Sequence, residues 1–103
     1  MSNLSRDQIN WLGLQKKFMK ITRLAGGPSK SSSGSLRLWY DENGIQVELG
    51  AYDISDWPRH TYVGEERGLD YQFQSELEAY QATWDKIQEA EKIVKYELEN
   101  PDE

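Results

Sequence analysis

The sequence predicts an α+β domain of two layers, and three stretches carry that prediction. The first is an amphipathic run near the start that opens on a capping signal. The second is a pair of alternating segments joined through Asn43-Gly44, and the third is a long apolar stripe between residues 69 and 99. At 103 residues the chain reads as one domain spanning 1–103, near the lower end of sizes that bury a sufficient core unaided.

A helix is expected from Ser5 onward. Ser5 and Gln8 stand three residues apart as in a capping box, the hydroxyl accepting from the Gln8 amide while the Gln8 side chain reaches back. Trp11, Leu14, Phe18, Ile21 and Ala25 then share one face, with Lys16, Lys20 and Arg23 on the opposite one. Ile9, Leu12 and Met19 fall on the flank, where they widen the buried face or leave an apolar edge for a partner. Gly13 inside this run costs up to about 1 kcal/mol relative to alanine, which points to a close contact there. Gly26-Gly27-Pro28 ends the helix, and residues 26–35, rich in glycine and serine, form a flexible connector. The connector does not fit a phosphate-binding loop, because it follows a helix and leads into a strand, and its glycines are wrongly spaced before Lys30-Ser31.

Residues 36–40 and 45–51 alternate as the strands of a hairpin. With Asn43-Gly44 as the central pair of a type I′ turn, Glu42 is expected opposite Ile45, Tyr40 opposite Val47, Leu38 opposite Leu49, and Leu36 opposite Ala51. The large apolar groups then share one face, Tyr40 among the core residues. Trp39 falls on the other face with Arg37, Gln46 and Glu48. Tyr52, Ile54 and Tyr62-Val63 are the candidates for a third strand, and Trp57-Pro58 forces an extended or turning path.

In the last segment Phe73, Leu77, Tyr80, Trp84, Ile87, Val94 and Leu98 recur at helical spacing, broken at Glu91, and line a helix of about seven turns. Both helices are expected to pack on the sheet face that carries Leu36, Leu38, Val47 and Leu49, with Phe73, Tyr80, Trp84 and Ile87 turned inward.

Charge divides the chain. Through Arg37 there are seven basic residues against Asp7 alone, a balance of +6, and from Leu38 onward five basic against seventeen acidic, a balance of −12. Chemistry-bearing patterns are sparse by comparison. His60 near Asp53 and Asp56 has the elements of an oriented base, but no nucleophile motif or nucleotide fingerprint accompanies it, and the reading is that the protein is not an enzyme. Asp53 with Asp56 and Glu65 with Glu66 are paired carboxylates without the calcium-loop pattern. With no cysteine either, the expectation is no metal and no cofactor. No apolar run reaches the length of a signal-peptide core or a membrane span, so a cytoplasmic location is expected.

What remains is a surface dense in acids and aromatics. Exposed tryptophan and tyrosine give large contact area at low entropic cost, and carboxylates spaced along a helix imitate a row of phosphates. The expected partner-binding residues are Trp39, Glu48, Asp53, Asp56, Trp57, Glu65, Glu66, Asp70, Glu78, Asp85 and Glu89. In size and acidity the chain resembles the small inhibitors encoded by bacteriophages, among them nucleic-acid mimics and anti-CRISPR proteins. That resemblance implies a non-enzymatic inhibitor or regulator that occupies a basic surface of a partner protein, such as a nucleic-acid-binding protein. Two other readings stand beside it: a nucleic-acid-binding protein using Lys16, Lys20, Arg23, Lys30 and Arg37, and a homodimer joined through the C-terminal helix.

Overall fold

The computed structural model, which describes residues 6–26, 34–51, 54, 57–64 and 72–100, caps its first helix at Asn10. Ser5 lies outside the described residues, and Arg6–Gln8 form a 3₁₀ turn before the helix proper, α1 (Trp11–Gly26). The Asn10 side-chain oxygen accepts the Gly13 amide at 2.9 Å, and its carbonyl accepts the Leu14 amide at 3.0 Å. The helix therefore begins later than the Ser5 signal suggests. The close contact at Gly13 is this cap, since a Cβ there would lie 2.7 Å from Asn10 Nδ2. Replacing Asn10 with alanine is expected to lower stability by about 1 kcal/mol, read from urea unfolding.

The expected helix end at Gly26 is observed, but the 26–35 connector is shorter than expected. Gly26 belongs to α1, while Gly34 is buried with its amide donating to Thr22 Oγ1 at 2.6 Å. Ser35 already opens β1 (Ser35–Asp41). Residues 27–33 lie outside the described residues.

β1 pairs antiparallel with β2 (Gly44–Gly50), and β2 pairs antiparallel with β3 (His60–Tyr62), giving the order β1-β2-β3. The register differs from the expected one by two residues: Tyr40 faces Ile45, Leu38 faces Val47, Leu36 faces Leu49, and Asp41 faces Gly44. Glu42-Asn43 is thus the loop. Because side chains alternate with period two, a two-residue slip leaves every residue on its expected face. The cause lies outside the hairpin. Gly44 has φ 141°, and a Cβ on it would sit 2.6 Å from the Phe73 carbonyl oxygen. The adjacent Ile45 exchanges both backbone hydrogen bonds with Phe73, each 2.8 Å.

That pairing also corrects the long helix. Phe73 cannot be helical while it bridges to Ile45, and α2 (Glu76–Glu99) begins only after Ser75, whose hydroxyl accepts the Glu78 amide at 3.1 Å. Its buried residues are Ala79, Tyr80, Thr83, Ile87, Ala90 and Val94, so small side chains fill the turns between the large ones. Trp84 is half-buried, and Leu98 is exposed. Of the apolar stripe, Phe73, Tyr80, Ile87 and Val94 are buried in the protein's own core.

Both helices lie on one face of the sheet, as expected. Phe18, Val47, Leu49 and Ile87 are fully inaccessible and belong to one cluster that spans both layers. The helices run in the same direction: Trp11 donates to Glu76 at 2.8 Å and meets the Tyr80 ring edge-on, while Lys17 reaches Trp84 and Glu91 further along. Glu91, the break in the apolar stripe, is held by Lys17 and Lys95, each at 3.8 Å.

Candidate functional site

The expected partner-binding residues separate into three groups. Asp53, Asp56, Glu65, Glu66 and Asp70 lie outside the described residues. Trp39, Glu48 and Trp57 are engaged within the fold. Glu78, Asp85 and Glu89 stand exposed on α2.

Glu48 is the clearest correction. It is only 5 % exposed, at the centre of the outer sheet face, with Arg37 Nη1 3.5 Å and His60 Nδ1 3.0 Å from its carboxylate oxygens. Arg37 and Tyr62 are its neighbours across β1 and β3. Trp39 meets Tyr62 edge to face at 6.3 Å, and the Arg37 guanidinium lies 5.7 Å from the Trp39 ring. Charge and aromatic side chains from the two neighbouring strands thus surround this carboxylate and leave little of it for a partner. His60, on the edge strand β3, therefore faces Glu48 of the central strand. Trp57 is half-buried and stacks on Phe18 at 6.2 Å, which makes it part of the packing. Tyr40, expected in the core, is 62 % exposed.

The α2 carboxylates remain accessible. Positions 78, 85 and 89 fall within one outer quadrant of the helix, opposite the buried stripe. Glu78 also supports the chain locally, because its carboxylate accepts the Gln74 amide at 3.2 Å ahead of the helix start. Asp85 accepts from Gln81 at 3.1 Å. Lys86 reaches Glu89 at 3.8 Å while its ammonium sits 5.4 Å from the centre of the Trp57 ring. Lys86 relieves part of the repulsion between Asp85 and Glu89 from inside the molecule.

Beside these residues lies an open pocket of about 270 Å³. Val63, Phe73 and Ala82 give it apolar walls, and Asp85, Lys86 and Glu89 give it a charged rim. Sequence reasoning found Asp85 and Glu89 from their like-charged spacing. It missed the pocket, because Val63, Phe73 and Ala82 meet only in the folded chain. Among the described residues no cluster of three histidines or carboxylates is arranged to hold a metal ion, and no helix is long and apolar enough to cross a membrane.

α1 presents the opposite chemistry. Lys16, Lys20 and Arg23 are exposed on its outer face, and the helix contains no acidic residue. Comparison of the chain with protein-family models, curated proteins and solved structures finds no match.

Proposed function

We propose that the protein is a non-enzymatic protein–protein interaction module that uses the outer face of α2 to engage a basic surface on a partner. The observation that carries this reading is the pocket beside Asp85 and Glu89. An arginine or lysine side chain from a partner fits it chemically, with the aliphatic stem against Val63, Phe73 and Ala82 and the cationic head between the two carboxylates. The specific form of the proposal is an inhibitor or regulator of a cytoplasmic nucleic-acid-binding protein, competing for the site where phosphates bind.

The experiment is capture of partners from lysate on the immobilised full chain at about 0.05 M and 0.5 M salt, where the Debye length falls several-fold. A partner is expected to be retained at low salt, released at high salt, displaced by DNA, and lost with the Asp85→Asn/Glu89→Gln variant. A second variant with the same change in charge, Glu97→Gln/Glu99→Gln, is expected to keep it. Equal loss with both variants would reduce the effect to net charge and contradict the site.

One observation favours a second reading: the exposed, acid-free outer face of α1 suits phosphate contacts by Lys16, Lys20 and Arg23. A steep salt-dependent affinity for oligonucleotides that disappears in Lys16→Gln/Lys20→Gln would establish it in place of the first.

A further inference from the structure

We infer that Lys86 is the specificity-determining residue of the Asp85–Glu89 pocket: it holds Glu89 with a cation of the protein's own and so makes the pocket favour arginine over lysine in a partner. This role rests on the pocket being the cation site of the proposed function, and it decides which of the two basic side chains the site prefers.

Lys86 is itself one of the residues that line the pocket. Its side chain is only 21 % exposed, its ammonium stands 5.4 Å from the centre of the Trp57 ring, and Glu89 Oε2 lies 3.8 Å away. The attraction of a cation to an indole face is strongest where water is partly excluded. Moving Lys86 out to solvent would forfeit that attraction and uncover its aliphatic stem. Lys86 therefore keeps its place when a partner arrives.

The two rim carboxylates are consequently unequal. Glu89 has a cation near enough to offset its charge, and a second cation brought to it would meet Lys86 as a like charge. Asp85 accepts a neutral amide, Gln81 Nε2 at 3.1 Å, and among the described residues no basic side chain pairs with it. A carboxylate offers about four acceptor positions, so that amide leaves most of them open. An incoming cation thus gains most at Asp85.

With one carboxylate open, the shape of the incoming head decides. A guanidinium presents two parallel N–H donors that match both oxygens of a single carboxylate, whereas an ammonium is a point charge that gains most where its donors are shared among several acceptors. Two open carboxylates would suit lysine, and Lys86 withdraws one of them. The apolar walls do not discriminate. Val63, Phe73 and Ala82 face the stem of the incoming side chain, and arginine and lysine both carry an aliphatic stem.

A role confined to packing gives a different expectation. If Lys86 only fastened α2 to Trp57, its replacement would loosen the pocket and weaken both cations alike. Net charge gives a third expectation, because removing any lysine from the chain would strengthen both alike. A cation stationed at Glu89 is what changes the ratio between them.

The test is a titration of the ¹⁵N-labelled full chain with capped hexa-arginine and hexa-lysine peptides, followed at the amides of Val63, Gly64, Phe73 and Ala82. Hexa-arginine is expected to bind about fivefold more tightly than hexa-lysine. Lys86→Gln, and Lys86→Met with its unbranched stem kept against Trp57, are expected to strengthen hexa-lysine more than hexa-arginine and to bring the two within about twofold of each other. Lys95→Gln removes the same charge from an exposed position further along α2 and is expected to leave the ratio as it was. Equal binding of the two peptides by the unaltered chain, or a ratio that neither Lys86 variant changes, would overturn the role of Lys86 while leaving the cation site standing. Failure of both peptides to shift these amides would overturn the cation site, and the role of Lys86 with it.

Discussion

Replacing Phe18 with alanine is expected to lower the unfolding free energy by about 3–5 kcal/mol, a large part of the roughly 5–15 kcal/mol that holds a domain of this size. The ring is fully inaccessible, stacks on Trp57, and lies so close to Gly34 that a Cβ there would come within 2.7 Å of it. It therefore joins three parts of the chain: α1, the entry to β1, and the segment between β2 and β3. Removing it leaves a cavity that neither Gly34 nor the half-buried Trp57 can fill, the first for want of a side chain. Urea unfolding followed by circular dichroism measures the loss. A change below about 1 kcal/mol would mean that this region is not packed as described.

Gly44→Ala is expected to destabilise by about 1–3 kcal/mol through its backbone conformation alone, and further through collision with the Phe73 carbonyl oxygen. The φ of 141° is one that L-residues rarely adopt, and the obstructing atom belongs to backbone that cannot swing aside. Relief requires the Phe73–Ile45 bridge to open, which also moves a wall of the pocket beside Asp85. The variant should therefore lose stability and show altered amide shifts at Ile45 and Phe73 together. Lost stability with those two amides unmoved would separate the hairpin from the bridge.

The elements were legible in the sequence where a local pattern decides them. Alternation with Asn43-Gly44 marks the hairpin, and the 3.6-residue stripes mark both helices. What was not legible depends on distant partners. The register turned on Gly44 serving a close approach by Phe73, from the far end of the sheet region, rather than a place inside the turn. The start of α2 carried a local signal, Ser75 followed three residues later by Glu78, that is easily passed over when the apolar pattern runs on through Phe73. Small core residues are a further blind spot: Ala79, Thr83 and Ala90 are buried because they admit the facing elements closely, yet no scan for large apolar side chains finds them.

The same division governs the surface residues. Alternation placed Glu48 on the outer face correctly, and nothing local reveals that side chains from two neighbouring strands close over it. Aromatic rings next to acids suggested a binding surface at Trp39 and Trp57, but in a small domain such rings are recruited to packing, as the Trp39–Tyr62 and Phe18–Trp57 contacts illustrate. Asp85 and Glu89 were found because like charges one turn apart are visible in the sequence. Lys86 between them, tied to both Glu89 and Trp57, gives that site its geometry.

The claim that Asp85 and Glu89 form the recognition site is tested most directly by titrating the full chain with a hexa-arginine peptide, following the backbone amides of Val63, Gly64, Phe73 and Ala82. The predicted result is a saturable shift of these amides, weakened about fivefold by Asp85→Asn/Glu89→Gln and by neither Glu97→Gln/Glu99→Gln nor Glu48→Gln. Shifts spread over all acidic segments, with equal weakening in every variant, would contradict it.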